Sequence, residues 1–371
     1  MPGLPNETLK NYLQPVKIVY PSEASYFAAI CGILFIIFGL IGNLVTFVAL
    51  LNSKKLRSHA TTSFVLSLTA SDLLFCAINL PLTVSRYLSE SWVHGDGLCK
   101  TFPFFFYGNV GTSLMSMVAI TLNRFVLISS PSWYDKIYKA KHNLVMIAGI
   151  WLFSFGILLP TMFDSWGTFG LDAPTFSCTI LKKDGKSPKK FLFAFGFLMP
   201  CIVIIFSYTC IYIKVRRSRL NILSHSTSPS KLSQKSISQS NGMSVQPSNE
   251  PKGNSQRKED LRLTRMMLTI FCTFLLCFLP LMVVNIADDE ITVPVLHVFA
   301  SILAWASCVV NPVIYAASNR QYRAAYRALF CKDGLTTSQA SSNASGRTML
   351  QSVWHFATHA DRIRVIRTNV V

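Results

Sequence analysis

Charged residues are scarce in this chain: Asp, Glu, Lys and Arg make up only 14% of its 371 residues. A soluble domain usually carries about 25% charged residues, so the chain has too little polar surface for a water-soluble globule of this size. Low overall hydrophobicity, the mark of a disordered chain, is also missing, since 51% of the residues are hydrophobic. An ordinary soluble enzyme is therefore excluded, and a membrane protein is the remaining class.

Long apolar runs are what the chain has instead. A helix needs about 20 mostly apolar residues to cross the hydrocarbon of a bilayer, and lipid offers no partners for unpaired backbone groups, so helices are the natural spanning structure. The fold class is thus predicted to be all-α, a seven-transmembrane helix bundle over residues 24–317. The predicted spans are Ala24–Leu51, Ala60–Leu88, Cys99–Ser129, Leu144–Met162, Phe191–Val215, Leu263–Ala287 and Val293–Ala317.

Acidic residues are few and unevenly placed. The joins after spans one, three and five, together with the C-terminal tail, hold 25 basic and 6 acidic residues, whereas the N-terminal tail and the other joins hold 9 basic and 10 acidic residues. Lys and Arg in short loops tend to stay cytoplasmic, so the N-terminus is predicted to be extracellular, as in a multi-pass protein of the plasma membrane. Anionic lipid of the inner leaflet accounts for the positive balance, and no nucleic-acid partner is needed.

The segments outside the spans carry signals of their own. Residues 1–23 lack the apolar core of a signal peptide, so span one is expected to act as the signal anchor, and Asn6 begins a glycosylation sequon on the outer side.

Residues 221–256 hold eleven serines and are predicted to be a disordered third cytoplasmic loop. Residues 318–331 place aromatic residues at a spacing of four opposite arginines, which predicts an amphipathic helix on the inner membrane surface. Residues 332–371 are the predicted cytoplasmic tail.

Two of the ten cysteines fall where the compartment is oxidising. Cys99 and Cys178 lie at the outer end of a span and in an outer loop, and they are predicted to form a disulfide between span three and the second outer loop. Cys331 ends the predicted surface helix and is either a palmitoylation site or a free cytosolic thiol. The other seven lie in apolar runs and are interpreted as small packing residues.

Ionisable groups are rare inside the spans, and Asp72 is one of them. An intramembrane acid is costly and suggests a function by default. Neutral oxygen-bearing residues occur at comparable depth in spans one, three and seven; they are Asn43, Ser113, Ser307 and Asn311. Such a set could bind Na⁺ or share a proton, or it could be a purely structural hydrogen-bond cluster. We favour the ion or proton hypothesis because no span supplies a basic partner for Asp72.

Arg124, near the inner end of span three, is the second buried charge. The residue before it is Asn123, so no neighbouring carboxylate balances it, and Asp260 or Glu259 at the inner start of span six could do so across the bundle. A charge pair between two helix ends would act as a switchable tie. Prolines are predicted to bend the spans; they are Pro81, Pro160, Pro200, Pro280 and Pro312.

Short motifs occur in order along all seven spans. They are Gly42-Asn43, Leu68-x-x-x-Asp72, Trp92 before Cys99, Asn123-Arg124-Phe125, Trp151, Pro200 with Tyr208, Cys277-Phe278-Leu279-Pro280 and Asn311-Pro312-x-x-Tyr315. One motif alone would be a weak signal, but the ordered set is highly specific. On these residues the chain resembles the rhodopsin-like, class A G-protein-coupled receptors over residues 24–331.

Three positions depart from the pattern of that family. The usual Asp-Arg-Tyr reads Asn123-Arg124-Phe125, the usual Trp of the span-six motif is Phe278, and the usual Asn before the span-seven motif is Ser307. The Asn-Arg form is similar to that of the melatonin receptors and, above all, of the insect orphan receptors Moody and Trapped in endoderm. Without an acid beside Arg124, the restraint of the inactive state is expected to be weaker than is usual in the family.

The resemblance implies a role for each matching residue. Arg124 would meet the C-terminus of a heterotrimeric G protein, with Tyr208 and Tyr315 stabilising it after span six swings outward. Asp72 and Ser113 are similar to members of a sodium site, so allosteric Na⁺ is the one bound ion implied, and Phe278 would be the rotamer switch beneath the ligand. Receptor kinases and arrestin would act at the Ser/Thr-rich tail. The same activation switch includes Asn123, Asp260, Pro280, Asn311 and Pro312.

The outer halves of the spans predict the ligand cavity. Phe106 stands where amine receptors place an aspartate, so the resemblance implies that a biogenic amine is not the ligand. An apolar cavity suits a lipid-like or aromatic ligand, and its predicted lining is Phe106, Tyr107, Phe193, Leu281, Met282, His297 and Trp305. Arg86 and Lys182 near the mouth could meet an anionic head group, but we interpret both as facing solvent or phospholipid.

Other classes of membrane protein lack their required residues. A retinal-binding protein needs a Schiff-base lysine, and Val293–Ala317 contains no lysine. An intramembrane hydrolase would need paired aspartates or a nucleophile–histidine pair in the spans, so no enzymatic activity is expected. The alternative that we retain is a channel or transporter that uses Asp72, although no ring of charges or internal repeat accompanies it.

Overall fold

The computed structural model of the protein describes residues 19–226, 252–288 and 291–330, and most of these residues are helical. Seven helical segments are long and apolar enough to cross a membrane; they are Ser22–Asn52, Ala60–Ser89, Gly95–Ser129, Ala140–Met162, Lys189–Ser218, Glu259–Ala287 and Pro294–Ser318. Each overlaps one predicted span. The prediction of an all-α bundle with seven spans is therefore confirmed, and we number the spans one to seven in this order.

Shorter elements connect and complete the spans. The helices are α1 (Ser22–Asn52), α2 (Lys54–Arg57), α3 (Ala60–Leu74), α4 (Leu80–Ser89), α5 (Gly95–Ser129), α6 (Pro131–Ile137), α7 (Ala140–Gly156), α8 (Leu159–Met162), α9 (Lys189–Phe193), α10 (Met199–Ser226), α11 (Lys252–Ala287), α12 (Pro294–Ser318) and α13 (Arg320–Phe330). The strands are β1 (Thr168–Asp172) and β2 (Ser177–Leu181), joined by the 3₁₀ turn Ala173–Thr175.

Three spans are irregular just before a proline. Span two contains the π-helical turn Phe75–Asn79 before Pro81, span five contains the π-helical turn Ala194–Leu198 before Pro200, and span four breaks between α7 and α8 before Pro160. Proline has no N–H and clashes with the carbonyl one turn back, so the preceding turn must open. Pro280 and Pro312 instead lie inside the continuous helices α11 and α12.

The helices of spans five and six extend farther into the segment predicted to be the third cytoplasmic loop than the sequence indicated. Helix α10 continues to Ser226 and α11 begins at Lys252, so residues 221–226 and 252–256 of the predicted disordered segment are helical. No Gly or Pro interrupts residues 215–226, so α10 can continue past the end of the apolar run. The remainder of that segment, the sequon at Asn6, the Cys331 thiol and the tail after residue 330 lie outside the described residues.

A two-stranded hairpin closes the outer end of the bundle. Strands β1 and β2 pair antiparallel, with Leu171 opposite Cys178, and Cys178 is joined to Cys99 by the predicted disulfide. Alternate residues of a strand point to opposite faces. Phe169 and Ile180 accordingly are both buried in a cluster with span three and span four residues. The hairpin is thereby fixed over the mouth of the helices.

Helix α13 packs against spans one and seven. The ring of Tyr322 stacks on that of Tyr315 at 5.0 Å between centroids, and the hydroxyl of Tyr326 lies 2.9 Å from Oγ1 of Thr46. Phe330, at the end of the same helix, is 46% exposed. Two of the three aromatic residues that predicted an amphipathic helix therefore contact the bundle, and the location of α13 on the inner membrane surface stays a prediction.

Candidate functional site

A cavity of about 420 Å³ lies in the outer half of the bundle, beneath the hairpin. A volume of this size is typical of small-molecule sites. All seven predicted lining residues surround it; they are Phe106, Tyr107, Phe193, Leu281, Met282, His297 and Trp305. They come from spans three, five, six and seven, so a molecule in the cavity would contact four spans at once.

The floor and walls of the cavity are mainly apolar and aromatic. Phe106 packs between Phe75 and Phe102, with ring centroids 5.3 Å and 5.6 Å away. Tyr107 donates to or accepts from Oγ1 of Thr179 at 2.9 Å, so its hydroxyl is held by the hairpin. The position that would carry an amine-binding carboxylate is thus filled by a hydrocarbon ring.

Arg86 corrects one interpretation from the sequence, because it does not face solvent or phospholipid. Its side chain is 8% exposed and lines the cavity. Nη1 donates to the carbonyl oxygen of Thr175 at 3.3 Å, and the guanidinium carbon lies 4.2 Å from the ring centre of Tyr87. The hairpin folds back over the end of span two, and the hydrophobic pattern of the span could not show this. Lys182 is exposed, as interpreted.

The sequence reasoning also missed Asp288, which lies just after span six. Its carboxylate accepts hydrogen bonds from the backbone N–H of Thr292 at 2.8 Å and of Val293 at 3.1 Å, and it lies 3.0 Å from Nε2 of His297. Hydrogen bonds from the backbone and hydroxyl of Thr292 are the main cause of a pKa of Asp288 well below its ordinary value. Asp288 therefore fixes the turn that leads into span seven and holds His297 at the cavity wall.

A second, small cavity of about 20 Å³ lies deeper, beside Asp72. Oδ2 of Asp72 accepts a hydrogen bond from the amide of Asn311 at 2.8 Å, and Oδ1 accepts a long one from Ser113 at 3.4 Å. Ser307 also lines this cavity. Asn43 does not, because its amide donates to the carbonyl oxygens of Gly39 and Cys308. Four of the five residues of the predicted sodium site are therefore brought together.

Phe278 lies between the two cavities. It lines both of them, and it is 5% exposed. Its ring stacks on that of Phe274, one helical turn away, with 4.3 Å between centroids. A change of the Phe278 rotamer would therefore alter the floor of the outer cavity and the roof of the Asp72 cavity together.

The inner end of the bundle contains the predicted ion pair. Arg124 is 2% exposed, and its Nη1 lies 3.6 Å from Oδ1 of Asp260 in span six. Glu259, the other candidate partner, pairs with Lys55 at 3.7 Å. Asn123 beside the arginine is fully buried and accepts a hydrogen bond from Thr61. Asp260 is thus the one carboxylate that reaches Arg124 among the described residues.

Tyr208 and Tyr315 lie in the same inner region but do not contact the arginine through hydrogen bonds. Both side chains are buried, and within the described part of the chain neither hydroxyl hydrogen-bonds to Arg124. Pro280, Asn311 and Pro312 lie at mid-depth in α11 and α12. The predicted activation residues thus extend from the Asp72 cavity to the inner end, with Arg124 held by span six.

A family profile described as "7 transmembrane receptor (rhodopsin family)" matches residues 42–315. The chain belongs to the rhodopsin-like receptor family. The match includes spans two to six whole, the last third of span one and most of span seven. It therefore contains the Asp72 cavity, the Arg124–Asp260 pair and the residues that line the outer cavity except Tyr20. The predicted resemblance to this family is therefore confirmed.

Relatives of this rhodopsin-like receptor agree with the subgroup expected from the Asn-Arg motif. "Protein trapped in endoderm-1" of Drosophila melanogaster is 52% identical over 317 residues, covering 84% of this chain and 79% of the relative. "G-protein coupled receptor moody" of the same organism is 37% identical and covers 88% of this chain but only 55% of the relative, so this chain spans about half of its length. "Melatonin receptor type 1A" of Mus musculus is 27% identical over 83% of this chain and 81% of that protein.

The solved structure of squid rhodopsin has the same fold. The TM-score is 0.69 with 22% sequence identity, over 92% of this receptor and 91% of squid rhodopsin. Together with the family match, the seven spans make this protein a multi-pass receptor of the plasma membrane. The family is one of receptors rather than of enzymes.

Proposed function

We propose that this receptor converts binding of a small extracellular ligand in the outer cavity into activation of a heterotrimeric G protein at its inner end. One observation carries the proposal: Phe278 of span six forms part of the outer cavity, and Asp260 of the same span holds the buried Arg124. A ligand that moves Phe278 acts on the helix that restrains the arginine. Signalling then needs no covalent chemistry.

The lining of the cavity favours a lipid-like or aromatic ligand over a biogenic amine. A cationic amine needs a carboxylate that is available to it, and Phe106 supplies none. The two acids that line the cavity in the described part of the chain are already engaged: Asp172 accepts a hydrogen bond from Thr175, and Asp288 lies against His297. Most of the remaining contact surface is aromatic or aliphatic, which favours an apolar ligand body.

The inner end supports a release mechanism for coupling. In this structure Arg124 pairs with span six, so an outward movement of span six would break the pair and expose the guanidinium to the C-terminus of a G protein. The hydroxyls of Tyr208 and Tyr315 would then be available to stabilise it. Receptor kinases and arrestin would follow at the Ser/Thr-rich tail, beyond the described residues.

We also propose that the Asp72 cavity binds an allosteric Na⁺ ion. A carboxylate with the hydroxyls of Ser113 and Ser307 is the oxygen-rich environment that hard cations prefer, and about 20 Å³ accommodates one water-sized species. Asn43 is not part of this site. Bound Na⁺ would be the positive counter-ion of the Asp72 carboxylate. It would favour the arrangement in which Asp72 and Asn311 are hydrogen-bonded.

A panel of chimeric G-protein reporters in cells tests the function, first without ligand and then against a lipid and small-molecule library. Wild-type receptor should activate at least one chimera, and Arg124→Ala should abolish that output at equal surface expression. Glu259→Gln is the matched control, because it removes a neighbouring acid that pairs with Lys55 instead, and it should keep the output. Full output from a well-expressed Arg124→Ala variant would contradict the coupling role.

The sodium proposal has its own test. Replacing Na⁺ by choline should raise agonist affinity in the wild type, because the ion stabilises the unliganded arrangement. Asp72→Asn should remove this dependence, whereas Asn43→Ala, outside the small cavity, should keep it. Agonist affinity that ignores sodium in wild type and in Asp72→Asn alike would refute the site.

A further inference from the structure

Among the described residues, a buried cation, Arg86, faces the outer cavity with no carboxylate in ion-pair contact. Arg86 is 8% exposed, lines the cavity beneath the hairpin, and is enclosed by the rings of Tyr87 and Phe176, whose centres lie 4.2 Å and 5.8 Å from the guanidinium carbon. Within residues 19–226, 252–288 and 291–330, no carboxylate lies within 4.0 Å of its nitrogens. The guanidinium of Arg86 is therefore largely covered by protein and opens towards the cavity with no carboxylate in contact among these residues.

The hydrogen-bonding capacity of Arg86 is largely unused. A guanidinium has five N–H donors, and the described structure gives it one acceptor, the carbonyl oxygen of Thr175 at 3.3 Å. The two acids among the described residues that line the cavity have other partners: Asp172 accepts from the Thr175 hydroxyl, and Asp288 accepts from the backbone N–H groups of Thr292 and Val293, just before span seven. A single neutral carbonyl does not offset the cost of burying a charge.

We propose that Arg86 binds an anionic group of the ligand, a carboxylate or a phosphate, so that the ligand is an anionic amphiphile with its apolar body against Phe106 and Trp305. The inference rests on the proposed function in one respect, that the outer cavity is the ligand site. A planar guanidinium matches the two oxygens of such a group in a bidentate pair. The rings of Tyr87 and Phe176 cover part of the guanidinium, and a lower local dielectric would strengthen that pair.

The competing interpretation is that Arg86 only fastens the hairpin to span two, through Thr175 and the aromatic stack. That role would affect the stability of the receptor but would not distinguish an anionic ligand from a neutral one of the same shape. Selectivity between matched probes is therefore the readout that separates the two interpretations, and it does not depend on the identity of the natural agonist.

The experiment measures equilibrium binding of tritiated dodecanoate, dodecyl phosphate and dodecanol to the full-length receptor in phosphatidylcholine nanodiscs, with empty nanodiscs subtracted. Wild type should bind at least one of the two anions about 10- to 100-fold more tightly than dodecanol, the effect of one charged hydrogen-bonded pair. A preference for dodecanoate would assign a carboxylate, and a preference for dodecyl phosphate would assign a phosphate. Equal binding of all three probes, or no binding of either anion, would overturn the proposal.

Variants locate the effect. Arg86→Gln should lower the affinity for the preferred anion about 10- to 100-fold and so lose the preference over dodecanol. Lys182→Gln, which removes an exposed charge outside the cavity, should keep the preference. Asp172→Asn should strengthen anion binding, because it removes a cavity-lining negative charge, and this variant decides the matter if Arg86→Gln does not fold. An anion preference that survives in Arg86→Gln, or that is unchanged in Asp172→Asn, would contradict the assignment.

The assay contains no G protein, so its outcome is independent of coupling. Anion-selective binding in a receptor that activates no reporter would refute the proposed function and leave the Arg86 site standing. Reporter activation that requires Arg124, in a receptor without anion selectivity, would do the reverse.

Discussion

Replacing Asp260 by Asn should raise the basal activity of this receptor. Asp260 lies 3.6 Å from Arg124, whose side chain is 2% exposed, while the carboxylate itself is 23% exposed. Asn keeps the size of the side chain and removes its charge. The substitution therefore releases the arginine without creating a cavity, and the lost interaction exists only while the inner ends of spans three and six are close.

The magnitude follows from the geometry of the pair. A hydrogen bond to a charged group contributes about 1.5–3 kcal/mol. The Nη1–Oδ1 separation of 3.6 Å is longer than an ordinary hydrogen bond. We therefore expect the Arg124–Asp260 pair to stabilise the inactive receptor by about 1–1.4 kcal/mol. Because 1.4 kcal/mol corresponds to a factor of ten, the ratio of active to inactive receptor should rise about five- to tenfold.

The assay is nucleotide exchange on the responding G protein without agonist, normalised to the amount of receptor at the cell surface. Glu259→Gln serves as the control, because its carboxylate is exposed and pairs with Lys55 rather than Arg124, and it should change basal exchange less than twofold. Basal exchange in Asp260→Asn equal to that of the wild type, at equal surface expression, would refute the view that this pair restrains the receptor.

Two further predictions concern stability. Gly108→Ala should lower the melting temperature, because a Cβ there would lie 2.5 Å from the ring of Phe155 and overpacking costs about 1–3 kcal/mol. The control is Gly149→Ala, which has nothing within 4 Å of the added Cβ and should leave the melting temperature unchanged or higher. Equal losses in both variants would count against close packing of spans three and four. Asp288→Ala should also lower the melting temperature, most strongly near neutral pH. The pKa of Asp288 is lowered in the folded receptor, so its stabilisation is present above the ordinary value near 3.8 and is lost as the pH falls through the folded value; a loss in Asp288→Ala that is the same at pH 7 and pH 3.5 would contradict this.

Span positions and the inner ion pair could be predicted from the sequence, because each depends on one strong physical constraint. A segment long enough to cross the bilayer must be apolar throughout, so the composition marks the spans to within a few residues. Arg124 has no acid beside it in span three, and its buried charge demands a partner at the same depth. Asp260 was one of two candidates at that depth, and the structure selects it.

Contacts that depend on helix rotation or on loop folding were not predictable in the same way. Apolar residues surround a membrane helix on most sides, so the sequence did not show that Arg86 faces the cavity rather than lipid. Its burial is completed by Phe176, at the tip of a hairpin whose register is not encoded by any local pattern. Asn43 lies at the depth of Asp72, but equal depth did not bring it into the small cavity, because its amide is directed to span seven.

Asp288 was missed for a related reason. It follows directly on span six and precedes span seven by a few residues, and a charge in such a join is usually solvated. The structure instead folds the join so that this carboxylate accepts hydrogen bonds from the backbone N–H groups of Thr292 and Val293, the two residues before α12. A sequence search for Asp or Asn a few residues before a predicted span, where the side chain can accept hydrogen bonds from the backbone N–H groups of a turn, would have identified it as a candidate.

The most direct test of the central claim is nucleotide exchange on purified G-protein heterotrimers by the full-length receptor in nanodiscs. The wild type should accelerate GDP release from at least one heterotrimer, and Arg124→Ala in the same membranes should not accelerate it. A wild-type receptor that binds ligand in the outer cavity yet promotes exchange on no heterotrimer would contradict the account. Exchange promoted by the Arg124→Ala variant as well as by the wild type would also contradict it.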